Sequence, residues 1–189
     1  MTSTEFIKWS LFNPADVSRM LMRYTLSRGT VWSMIVLVSI VSTLLVSVGG
    51  LISMGAVAAD VMTPFVLSIV LMSSLTVLIF AIYLTGRMLG GTGRLDQTVL
   101  LVAWWQGIGL VIQAVQTVFL LVLPPVSGLL ALIGMAWLLF ALLHFVNVLH
   151  GFDSLLKSLG TVALGVVGFS FGIAIFLTLI GVGVQGGSI

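Results

Sequence analysis

The sequence predicts an all-α integral membrane protein, with five transmembrane helices preceded by an amphipathic helix at the membrane surface. Three observations carry this expectation. Composition is the first: 60% of the 189 residues are apolar and 6% charged, with a mean hydropathy of +1.31, whereas soluble domains average about 25% charged residues. The second is the presence of five apolar stretches, residues 31–54, 64–89, 99–123, 126–149 and 159–184. Each reaches the roughly 20 residues needed to cross a hydrocarbon core of about 30 Å. The third is the placement of the seven basic residues. Lys8, Arg19, Arg23 and Arg28 precede the first stretch, Arg87 and Arg94 bracket the end of the second, and Lys157 follows the fourth. The connections after the first, third and fifth stretches carry no Lys or Arg. Basic residues in short loops stay in the cytoplasm, so the N-terminus is expected inside and the C-terminus outside.

The segment before the first stretch, residues 13–28, reads as the surface helix. Asn13 suits an N-cap and Pro14 the first helical position. Val17, Met20, Leu21 and Tyr24 recur at helical spacing, while Arg19 and Arg23 stand four apart on another face. Arginines on the polar face of such a helix suit a membrane surface, with Phe6, Trp9, Leu11 and Phe12 as upstream anchors. The first stretch reads as a retained span. Ala56-Val57-Ala58 resembles a signal-peptidase site, but its 24-residue apolar run exceeds the 7–15 of a signal peptide.

The second stretch runs into Gly90-Gly91-Thr92-Gly93 between Arg87 and Arg94. An arginine at the bilayer centre costs about 2.5–3.5 kcal/mol, which puts this loop at the cytoplasmic surface. The loop lacks the GK[ST] ending of a phosphate-binding Walker loop and reads as a flexible turn. Leu123-Pro124-Pro125-Val126 then makes a tight outer turn, since proline cannot donate a backbone hydrogen bond. The third and fourth stretches should therefore form a close hairpin. In the second and fifth stretches, glycines form small-residue patterns: Gly86 with Gly90, and Gly165, Gly168 and Gly172. Such spacing lets helix backbones approach closely, within a bundle or between chains.

These features together resemble the Yip family of Ypt/Rab-interacting proteins. The resemblance rests on the Asn13-Pro14 start of an arginine-bearing helix, on Gly86-Arg87-Met88-Leu89-Gly90-Gly91-Thr92-Gly93-Arg94-Leu95, and on the five-span plan over residues 13 to 184. It implies a bacterial-type member of the inner membrane, with a periplasmic C-terminus, that acts through partners. Eukaryotic relatives carry a long soluble extension with a Tyr-Gly-Pro-type motif and are linked to Rab GTPases. This chain has neither, and GTPase binding is not carried over; position 95 is Leu where an aromatic is more usual.

The residues themselves offer little chemistry. A net charge of +2 at a sequence pI near 9.5 rests on very few groups and does not point to nucleic acid. The absence of cysteine rules out disulfides, thiol catalysis, cysteine-based metal sites and palmitoylation. His144, His150 and Asp153 lie on different faces of a helix and make no metal site. His150 and Asp153 are expected at the wet interface beside Lys157. No catalytic pair and no cofactor site is evident. A polar seam remains: Gln106, Gln113 and Gln116 on the third stretch, and His144 and Asn147 on the fourth. Gln106 is the expected partner of His144 and Asn147. Polar groups in lipid usually serve as structural glue; a solute or proton path is the functional alternative. No Asp, Glu, Lys or Arg stands in the interior of any stretch. The sequence thus favours a non-enzymatic scaffold or assembly partner, for other membrane proteins, for a second copy, or for lipid organisation. A small-solute or lipid transporter using the polar seam is the competing class.

Overall fold

The computed structural model describes residues 12–54 and 63–179, without the side chains of residue 54 and residues 173–179. Phe6, Trp9, Leu11, the Ala56–Ala58 tripeptide and the last part of the fifth stretch lie outside the described residues. The helices, in chain order, are α1 (Pro14–Leu21), α2 (Arg28–Met54), α3 (Pro64–Met88), α4 (Leu95–Val122), α5 (Pro124–His150) and α6 (Leu155–Leu179). Helices α2 to α6 are each long and apolar enough to cross a membrane. Three of them begin three or four residues ahead of the apolar stretches, at Arg28, Leu95 and Leu155. First-turn N–H groups lack intrahelical partners, so polar residues are accepted there. Asp96 in the first turn of α4 also complements the helix dipole.

Packing arranges the spans as a ring in the order α2, α4, α5, α6, α3, with α3 also reaching α4 and α5. α4 is the most enclosed: 39% of its most apolar window is buried, against 17–28% for the other spans. The core is concentrated at one end of the bundle. Val31 and Ile35 of α2, Ile79 and Ile82 of α3, Val99 to Ala103 of α4, and Phe145, Val146 and Leu149 of α5 pack together. These are the helix ends that carry Arg28, Arg87 and Arg94, hereafter the basic end. Towards the opposite end, Leu121, Val122, Leu129, Leu132 and Ile133 are exposed, and Gly134 lets α4 and α5 approach closely. A Cβ on Gly134 would lie 2.6 Å from Ile112 Cγ2. The turn joining α4 and α5 is a single residue, Leu123, with proline in the first turn of α5.

α1 is two turns long and ends at Leu21, short of the expected 13–28 helix. Pro14 holds its first position, but the Asn13 side chain makes no capping hydrogen bond. Pro14, Val17, Ser18 and Leu21 form its buried face, against α5 and the start of α4. Burying Val17 and Leu21 removes them from water, at about 25 cal/mol per Å² of apolar surface. Asp16 and Arg19 pair at 2.8 Å on the exposed side. Tyr24, expected on the apolar face, lies beyond the helix and is exposed, as is Phe12.

Candidate functional site: the polar seam and the basic end

The glutamines of α4 turn mainly towards α2. Gln113 Oε1 accepts a hydrogen bond from Ser42 Oγ at 3.0 Å, and Gln113 Nε2 donates to Ser42 O at 3.5 Å. Gln106 Nε2 donates to Ser42 Oγ at 3.5 Å. Depth explains the choice. At 1.5 Å per residue, Ser42 in α2 lies level with the interval between Gln106 and Gln113 in α4, because both helices start at the basic end. Gln116, three residues further round, faces α5 instead and donates to Leu130 O at 3.2 Å. Trp105 Nε1 donates to Leu138 O at 2.8 Å and adds a second tie across the hairpin.

The expected pairing of Gln106 with His144 and Asn147 is not what forms. Those two residues stand nearer the basic end than Gln106, by roughly five and eight residues, or about 8–12 Å along the axis. His144 Nδ1 instead bonds Phe140 O of its own helix at 2.9 Å. Asn147 Oδ1 accepts from Ser158 Oγ of α6 at 3.2 Å. A groove of about 510 Å³ runs along the α4–α5 hairpin, lined by Gln106, Gln113 and Gln116 among apolar residues. Each of their NH2 groups is directed to a neighbouring helix.

At the basic end the loops are built around His150. Helix α3 ends in a Schellman motif: Gly91 N donates to Gly86 O at 2.8 Å and Gly90 N to Arg87 O at 3.1 Å. Gly90 has φ +85°, where a side chain is disfavoured. Its role is therefore to end the helix, not to pack one, as its pairing with Gly86 in the sequence had suggested. Helix α5 ends the same way at Gly151, φ +65°, with Phe152 N donating to Asn147 O at 2.9 Å. Thr92 N donates to His150 O at 3.2 Å and joins the two connections.

His150 itself is 1% exposed, which corrects the expectation of a wet position. A Cβ on Gly86 or Gly91 would overlap its ring, and one on Gly93 would approach it to 2.9 Å. Nε2 donates to Ile82 O at 3.2 Å, and the ring stacks on Phe152 with centroids 5.3 Å apart. The glycines read as a flexible turn thus form a fitted cradle. Their alternation around a helix end was visible in the sequence; their contact with a histidine nearly 60 residues away was not.

The remaining packing glycines divide. Gly165 is buried, and a Cβ there would lie 3.1 Å from that of Ala81 in α3. Thr85 Oγ1 donates to Thr161 O at 2.9 Å and closes the same α3–α6 contact. Gly168 and Gly172 are exposed, and nothing lies within 4 Å of a Cβ at either position. Of the basic residues, Arg19, Arg23 and Lys157 are exposed on separate elements, whereas Arg28, Arg87 and Arg94 line one cleft. Among the described residues, no group of three or more His, Asp or Glu is placed to hold a metal ion.

No curated protein and no solved structure matches this chain. A family model, the Yip1 domain, matches residues 9–183, a range that contains α1, all five long helices and the glycine cradle. This membrane protein, with five helices able to span a bilayer, therefore belongs to the Yip1 domain family.

Proposed function

We propose that this protein is a non-enzymatic assembly partner in a bacterial inner membrane, with α1 and the glycine cradle on the cytoplasmic side. The observation that carries the reading is the disposition of polar and small residues. The three glutamines and Asn147 of the seam are engaged in helix-to-helix hydrogen bonds, each worth about 0.6 kcal/mol in a membrane, and His144 bonds its own helix. Full charges, the usual equipment of ion coupling, stand only towards the helix ends. Gly168 and Gly172 meanwhile present a small-residue face that no part of the described protomer covers. Close approach of helices at such faces supplies packing energy without apolar desolvation. The partner is another membrane protein or a second copy. Positive-inside placement of Arg28, Arg87, Arg94 and Lys157 supports the orientation. Replacing Gly168 and Gly172 with Leu is expected to release the partner while leaving insertion and folding intact, as read by co-purification in mild detergent. Retention of the partner by that variant would contradict the reading.

The α4–α5 groove favours one second reading, transport of a small solute or lipid along the wall formed by Gln106, Gln113 and Gln116. Flux through vesicles holding only the purified protein, abolished by Gln113→Leu, would establish it in place of the scaffold. Absence of flux supports the scaffold.

A further inference from the structure

The cleft at the basic end is built from three spans. Arg28 and Trp32 come from α2, Tyr83 and Arg87 from α3, and Arg94 and Asp96 from the start of α4; the space between them is about 380 Å³. That falls within the roughly 300–1,000 Å³ of small-ligand pockets. Three guanidinium groups face a single carboxylate. Asp96 pairs with Arg94 at 3.1 Å. Arg87 lies over the Tyr83 ring, 5.7 Å from its centroid, and donates to its hydroxyl at 3.3 Å. The Arg28 side chain makes no hydrogen bond or ion pair with the described residues. The first residues of α2 and α4 both line the cleft, so two helix N-termini add partial positive charge.

Two cationic forks in excess of one carboxylate, beside two N-termini, form an anion site. Guanidinium geometry favours an anion that offers paired oxygens on one atom, as a phosphate does, accepted two at a time. The depth narrows the choice further, since Trp32 and Tyr83 are residue types that settle at the membrane–water boundary. We propose that this cleft binds a phosphate group at the membrane surface, that of an anionic phospholipid such as phosphatidylglycerol. The aromatic walls face the glycerol backbone, and the acyl chains follow the exposed apolar surface of α2 and α3. The site is distinct from general attraction of basic residues to a charged surface, which Arg23 and Lys157 share without entering the cleft.

The test uses the full chain in a neutral detergent, with native mass spectrometry counting bound molecules. Phosphatidylglycerol is titrated against phosphatidylcholine, and glycerol 3-phosphate and inorganic phosphate are added as soluble competitors. One saturable phosphatidylglycerol per chain is expected, at least tenfold tighter than phosphatidylcholine. Arg28→Gln/Arg87→Gln should weaken it tenfold or more, and Arg23→Gln/Lys157→Gln less than threefold. Arg28→Gln alone removes no contact of the fold and keeps the test valid if the double variant unfolds; it should show part of the loss. Displacement by millimolar glycerol 3-phosphate or inorganic phosphate would assign the same cleft to a free phosphate compound and overturn the lipid assignment. Equal weakening by both pairs of substitutions, or no saturable binding, would overturn the site itself.

Discussion

A methyl group added at Gly91 meets the ring of His150. The ring is held by Ile82 O on one edge and by Phe152 on one face, so it has little room to move. Gly91→Ala should therefore destabilise the protein by about 1–3 kcal/mol through overpacking, read as a lowered unfolding midpoint in detergent. His150→Ala should be destabilising as well, but combined with Gly91→Ala the two costs should fall short of their sum, because the alanine methyl then enters the vacated space. Additive costs would mean that the two residues do not touch. Gly168→Ala, in open space, is the control and should fall within about 0.5 kcal/mol of the parent. The sequence showed these glycines and this histidine but not their meeting, because loop glycines serve turns of every kind. The seam was partly legible for a related reason. Glutamines in a span signal hydrogen bonding between helices, whereas the choice of α2 over α5 depends on helix order and depth, which the residue pattern does not encode.

At the scale of the element, α1 departs most from its expected form. A helix carrying Arg19 was legible from spacing, and Val17 and Leu21 of its expected apolar face are buried, whereas Arg23 and Tyr24 fall beyond its end. Its length was not, because the chain must turn after Leu21 to feed α2 at Arg28. Docking against α5 and α4 makes α1 part of the bundle. Leu21→Ala should therefore cost about 2–5 kcal/mol, the usual range for a buried leucine, and speed amide exchange across residues 14–21. If exchange there is already fast in the parent and unchanged in the variant, α1 is held by lipid alone. The boundaries of α2, α4 and α6 were legible only to within one turn, since apolar runs mark the membrane and not the helix caps.

For the whole molecule, the five membrane-length helices were the most legible property. The placement of the basic residues further predicts which ends of those helices face the cytoplasm. The chain has no cysteine, so single introduced thiols report cleanly. Thr92→Cys and Leu123→Cys, both at exposed turn positions, should label from opposite sides of the membrane, with Thr92→Cys protected from an impermeant reagent added outside. Labelling of both from outside would refute the five-span arrangement. The tight core at the basic end and the exposed apolar residues at the other were not legible, because every lipid-facing position is as apolar as a core position. The function proposed here turns on whether the uncovered face of α6 has an occupant. Native mass spectrometry of the protein released gently from its own membrane, beside the Gly168→Leu/Gly172→Leu variant, measures this directly. A complex heavier than the 20.1 kDa protomer by a second copy or another protein, reduced to 20.1 kDa in a variant that keeps its unfolding midpoint, is the expected result. A parent that carries only lipid, or a complex that the variant leaves intact, would contradict it.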